Sequence, residues 1–199
     1  MGVTTPKLYF FPETVPSAFS IGCRRHHSSL VFSEGLLNHL SDNELRAVIA
    51  HELAKIQRGE TKALILTSAL ARAILFFPQI LDKIITLGKS QDQASSQSWQ
   101  PLTQIFAPFA GFIVRLSINR NVYYESDRRA AELLGDSREL AKVLWKMESY
   151  AQTKPILLPA TSSHLFTVNP LTSLGWNRYF HCQPPIDQRI RGLVGHFPI

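Results

Sequence analysis

The residues with the clearest chemical reach lie in VIAHELAKIQRGE, residues 48–60. A histidine followed at once by a glutamate, as in His51-Glu52, is one half of a zinc-site signature. In that signature two histidines four apart on a helix grip one ion, and the glutamate takes a proton from the metal-bound water. The second histidine would stand at position 55, where Lys55 stands instead. A His-Glu pair alone is a weak signal, because it recurs by chance. Lysine is not a usual zinc ligand, and its ammonium sheds a proton in water only at about pH 10. Charge suggests another role: the Lys55 ammonium takes over part of the cation's structural work, pairing with Glu52 or with Asp127.

The element that carries these residues is well marked. Ser41-Asp42-Asn43-Glu44 forms a capping box, and the helix it opens runs to about Arg58 and stops at Gly59. Leu45, Val48, Ile49 and Ile56 fall at helical spacing, and His51 and Lys55 share a face. Upstream, residues 7–11, 17–22 and 28–33 read as short strands of a small sheet or hairpin, followed by a short helix over 34–40. Downstream come two apolar segments, 63–87 and 101–118. The first is broken by Arg72, Pro78, Asp82 and Lys83, and the second by Pro108 and Arg115. Neither reaches the roughly 18 uncharged residues of a spanning helix. Two readings stay open for them: a buried helix pair, or a hairpin dipping into or lying against a bilayer. The Ser/Gln-rich stretch between them is a polar loop. Residues 119–135 read as a helix ending near Gly135, Asp136 starts another to about Tyr150, and a last short helix covers 186–193 after Pro184-Pro185.

Composition narrows the setting. A chain of 199 residues suits one domain over 1–199, with the apolar hairpin at about 63–118 inserted between the two helices that would carry the metal site. Hydrophobic residues make up 45% and charged residues 18%, below the usual quarter, which points to a large core or to contact with lipid. The net charge of +6 suits anionic partners, but no nucleic-acid module is present, so nucleic acid is not an expected partner. Two cysteines, Cys23 and Cys182, make no disulfide framework, and the default is a reducing compartment. Their histidine neighbours His26, His27 and His181 lack standard ligand spacing.

Further motifs add a family. NRNVYYESDRRAAELLGD at 119–136, SHLFTVNPL at 163–171 and PPIDQRIRGL at 184–193 follow in order after the His-Glu helix. With the entry segments FFPETVPSAFSIG and SSLVFSEGLLNHLSDNELRAVIAHEL, the chain resembles the HtpX-type membrane metallopeptidases, a family that also contains the CAAX prenyl protease. The resemblance implies an α+β, mainly α fold, with a small amino-terminal sheet, an active-site helix and an apolar helical hairpin. It implies zinc held by His-Glu-x-x-His and a later glutamate, with Glu52 as general base. It also implies that 63–87 and 101–118 are membrane helices, and that two more precede the core. The core would lie on a reducing side, cytoplasmic or matrix- or stroma-like.

The departures from the family pattern fall on the metal positions. His51 is the retained ligand position, Lys55 replaces the second ligand, and Tyr123 stands where the family has its glutamate. Glu125 lies two residues on, about 200° around the helix, and so faces elsewhere. Gln183 stands for the histidine before Pro-Pro, and Glu60 for the aspartate after the metal helix. Two functions remain. One is a pseudopeptidase without metal, a binding, scaffold or regulatory subunit with a protein partner at a membrane. The other is a zinc endopeptidase of membrane or misfolded proteins that recruits Glu125, Asp127 or a nearby histidine.

Overall fold

Alternating apolar residues at the amino end build a three-stranded sheet in the computed structural model, which describes residues 5–24, 27–87, 100–154, 156, 158–171 and 175–195. Its strands are β1 (Lys7–Phe11), β2 (Ala18–Arg24) and β3 (His27–Ser33) in the order β1-β3-β2, with β1 parallel and β2 antiparallel to β3. Ser28, Leu30 and Phe32 of β3 and Ala18 and Ser20 of β2 share the buried face, as a period of two dictates. Ser33 ends β3 and caps α1 (Glu34–His39), its hydroxyl accepting the Leu36 N–H at 3.1 Å and donating to the Val15 carbonyl.

The capping box of Ser41 and Glu44 forms as the sequence predicts and opens α2 (Asp42–Arg58), which Gly59 closes at φ 74°. The next helix, α3 (Glu60–Leu87), runs unbroken for 28 residues. Pro78 does not divide it, because a proline removes one backbone donor, and packing against α4 (Pro101–Ser117) holds the neighbouring turns. Asp82 does not break it either. It is 2% exposed, and its two carboxylate oxygens accept the Leu102 and Thr103 N–H groups at 3.0 and 2.8 Å. Gln100, at the N-cap of α4, offers no side-chain bond, so the cap comes from the facing helix. Gly111 lets α4 approach the 3-10 turn Gly175–Phe180, since a Cβ there would stand 2.6 Å from the Tyr179 carbonyl oxygen.

The remaining helices are α5 (Asn121–Leu134), α6 (Ser137–Thr153, capped by Asp136) and α7 (Ile186–Val194). Two 3-10 turns, Ala160–Leu165 and Gly175–Phe180, occupy a tail that reads as loop in sequence. The fold is α+β and mainly α, as the resemblance implies. The polar loop over 88–99 and residues 25–26 of the Cys-Arg-Arg-His-His run lie outside the described residues.

Two apolar clusters share α5, through Ala130 in one and Tyr123 in the other. One joins the sheet to α1, α2 and α6 through Leu30, Phe32, Val48, Ile56 and Leu144. The other joins α3, α4 and the tail through Leu64, Leu75, Val114, Tyr123 and Phe180.

Candidate functional site

Three ionisable residues of α2 point into the junction of the clusters: His51 and Glu52 are 0% exposed and Lys55 is 1% exposed. Charges buried this deeply require partners. Lys55 Nζ lies 3.0 and 2.9 Å from the two Glu52 carboxylate oxygens and 2.8 Å from the Leu165 carbonyl oxygen, so its three N–H groups are all committed. Glu52 also accepts the Thr167 hydroxyl at 2.6 Å. Burial works against a charged Glu52, but the Lys55 ammonium, His51 and the Thr167 hydroxyl outweigh it and hold the carboxyl below its usual range.

Facing α2, α5 presents Tyr123 and Asp127 one turn apart. Asp127 binds Arg189 of α7 through two bonds of 2.7 Å. Burial again opposes the charge, and the Arg189 guanidinium overcomes it, holding the Asp127 carboxyl down to about 2. Arg189 also donates to the Thr167 carbonyl at 2.8 Å, and its guanidinium carbon lies 5.8 Å from the centre of the Tyr123 ring. His51 Nδ1 is 3.1 Å from Asp127 Oδ1, an ion-pair distance without the alignment of a hydrogen bond. His51 Nε2 is buried and has no hydrogen-bond partner among the described residues.

The Tyr123 hydroxyl donates to the His164 carbonyl at 3.0 Å. Burial pushes this phenol's pKa well above its ordinary value, with Arg189 opposing. The His164 ring lies between α3 and the site, its Nε2 at 3.0 Å from both the Leu64 carbonyl and the Ser68 hydroxyl. Burial brings its pKa down to about 4, against the bond to Leu64 and with help from the Lys55 charge, so the imidazole is neutral at physiological pH.

The other residues singled out in the sequence take different places. Lys55 pairs with Glu52 rather than Asp127, whose two oxygens are engaged by Arg189. Glu125 is 49% exposed and 3.5 Å from Arg58, away from His51. Glu60 is nearly buried, binding Arg58 and the Ser126 hydroxyl and so tying the α2–α3 turn to α5. Gln183 donates to the Phe166 carbonyl at 2.7 Å. Cys182 is a buried free thiol whose pKa burial raises to about 11, while the side chains of residues 23–27 lie outside the described ones.

The motifs PPIDQRIRGL and SHLFTVNPL mark Arg189 and the segment from His164 to Thr167 in the sequence, but sequence reasoning gave their residues no role in the site. Arg189 left a readable trace, since Ile186, Arg189, Ile190 and Leu193 fall on one helix face and put an arginine in an apolar stripe. The segment from His164 to Thr167 shows no trace of its role beyond the motif that contains it. Its roles come largely from backbone carbonyls, and any sequence supplies those.

The donor set at the positions implied by the resemblance does not fit a zinc ion. The Lys55 ammonium has no lone pair to offer, and the Tyr123 phenol keeps its proton. Of these three positions His51 alone offers an imidazole, whose buried Nε2 has no hydrogen-bond partner among the described residues. Among the described residues no group of three or more His, Cys, Asp or Glu side chains is placed to hold a metal.

A small three-stranded sheet beside a His-Glu helix, faced by a second helix that carries an aspartate, makes this an α+β, mainly α protein. The sequence matches the profile of Peptidase family M48 over residues 2–196. It is 35% identical to a protein named Protease HtpX homolog from Pelotomaculum thermopropionicum, over 96% of this chain and 70% of that protein. A protein of the same name from Desulfatibacillum aliphaticivorans is 28% identical over 99% and 65%, and one from Pyrococcus abyssi is 32% identical over 96% and 68%. The chain thus spans about two thirds of the length of these relatives. No solved structure matches it. The chain belongs to peptidase family M48.

Proposed function

We propose that this chain is a metal-free, non-hydrolytic member of its family that acts as a binding, scaffold or regulatory subunit at a membrane. The observation that carries the reading is the saturated Lys55 ammonium, with its three N–H groups on Glu52 and the Leu165 carbonyl. A carboxylate already held by an ammonium and a hydroxyl is a poor general base, because each partner favours its charged form. Glu125, a candidate replacement ligand, points away.

Support for a membrane comes from α3 and α4. The stretch Glu60–Ile85 is long and apolar enough to cross a bilayer, and 28% of its most apolar window is buried. Phe76, Phe77, Ile84, Ile105, Phe109 and Phe112 are each more than half exposed, a density of apolar surface that calls for lipid or a protein partner. The buried free thiol of Cys182 suits a core on a reducing side.

The test is zinc content per chain, by plasma mass spectrometry, on protein purified without added metal. The expected value is near zero and is not raised by zinc soaking. The same measurement on the double variant Lys55→His, Tyr123→Glu is expected to approach one, because it restores the implied ligand types. A wild-type value near one, lost in His51→Ala, would overturn the proposal and put a zinc endopeptidase in its place.

A further inference from the structure

We propose that α3 and α4 lie side by side in the plane of a membrane interface, with an apolar face among the acyl chains and with Arg72 and Arg115 on the headgroup phosphates of anionic lipid. This rests on the membrane reading of the function and adds an orientation and a lipid class to it. The register of the hairpin comes from Asp82, which takes the Leu102 and Thr103 N–H groups. Ala71 lies eleven residues before Asp82 and Val114 eleven after Thr103, so both stand about 16 Å from that cap, fully buried in the same cluster. Arg72 and Arg115 follow them by one residue each, at nearly the same level, and both are exposed. An antiparallel pair carries such equivalent positions to one side of its common plane.

The apolar residues take the other side. Exposed Leu66, Phe77, Leu81 and Ile84 lie about 120–180° around α3 from Arg72, and exposed Phe106 and Phe109 lie about 180° and 120° around α4 from Arg115. Lys83 and Gln104 are eleven residues from Arg72 and Arg115 respectively, and so share the arginines' faces within about 20°. Each helix is apolar on one side and polar or cationic on the other, the pattern of a helix that lies in an interface. A spanning arrangement would put both arginines near the middle of the hydrocarbon layer. The helix α3 is 28 residues, about 42 Å, and Arg72 stands about 18 Å from its start. Charge decides the lipid. Among the described residues neither Arg72 nor Arg115 is within ion-pair distance of a carboxylate. Arg178 adds a third exposed guanidinium, on the turn whose Tyr179 meets Gly111, one helical turn before Arg115. Guanidinium groups at the rim of an apolar face suit the phosphates of an anionic surface.

Flotation of the full chain on vesicles tests the lipid class, with phosphatidylcholine alone set against phosphatidylcholine mixed with phosphatidylglycerol. Strong binding is expected on the mixed vesicles and weak binding on the neutral ones. Arg72→Gln with Arg115→Gln should lower partitioning to the mixed vesicles about thirtyfold, for two lost headgroup charges. Arg128→Gln with Arg129→Gln, on α5, removes the same charge and should change it by less than about threefold, because those arginines already pair with Glu132. Orientation is read from spin labels on Leu66→Cys, Phe77→Cys and Ile84→Cys, with both native cysteines replaced by Ala. Power saturation should place all three at one shallow depth. A profile deepest at residue 77 would show a spanning helix and overturn the inference, as would equal binding to both vesicles or an Arg72, Arg115 double variant without effect. A chain that floats on neither vesicle would overturn the inference together with the membrane reading beneath it. None of these outcomes bears on the zinc content.

Discussion

Glu52 and Lys55 could not be buried singly. An isolated charge at 0% or 1% exposure costs several kcal/mol, and the pair is tolerable because each neutralises the other while Thr167 and Leu165 complete the bonding. Removing one partner of such a pair is far worse than removing both. Lys55→Met should lower the unfolding free energy by about 3–5 kcal/mol, whereas Glu52→Gln with Lys55→Met should recover most of that loss. Urea melts of the wild type, the two single variants and the double variant close the cycle. A coupling near zero would mean that the ammonium does not neutralise the carboxylate. Asp127 and Arg189 repeat the arrangement one layer away, and there the aspartate also steadies His51 at 3.1 Å.

Elements are joined by the same kind of bond. The first turn of α4 leaves backbone N–H groups without a local acceptor, and Asp82 reaches across from α3 to take two of them. The negative charge also sits at the positive end of the α4 dipole. One residue therefore fixes where α4 begins and how the hairpin closes. Asp82→Ala should cost about 1–2 kcal/mol, the range for loss of an N-cap, and should speed amide hydrogen exchange at Leu102 and Thr103 while α2 amides keep their protection. Uniform acceleration through the whole chain would refute a local capping role. Gly111 sets the other side of the hairpin, where a side chain would collide with the Tyr179 backbone.

The whole molecule is two apolar clusters with a charged seam between them and a large uncovered apolar face on α3 and α4. Leu66, Phe77, Ile105 and Leu116 are 58%, 70%, 68% and 71% exposed, far more than scattered surface leucines explain. Arg72 is the single charged residue between Lys62 and Asp82 and is costly at mid-bilayer, by about 2.5–3.5 kcal/mol on insertion scales. The full chain should float with vesicles containing anionic lipid. A triple variant, Phe77→Asp, Phe109→Asp, Phe112→Asp, should remain at the bottom of the gradient with its circular dichroism unchanged. A wild-type chain that stays soluble and monomeric beside the vesicles would remove lipid as the cover of this face.

The sequence by itself determined the local architecture: the capping box of α2, the glycine stops at 59 and 135, the alternation of β3, the face shared by His51 and Lys55, and the outward turn of Glu125. These depend on backbone geometry and spacing within a few residues, which are written in the chain. The tertiary structure alone decided that α3 continues through Pro78, that Asp82 caps a helix twenty residues away, and that Lys55 takes Glu52 while Arg189 takes Asp127. The reason is physical. A buried charge or helix end is satisfied by whatever donor or acceptor packing brings within about 3 Å. Which group arrives, whether the Leu165 carbonyl or the Arg189 guanidinium, depends on long-range packing that no local pattern encodes.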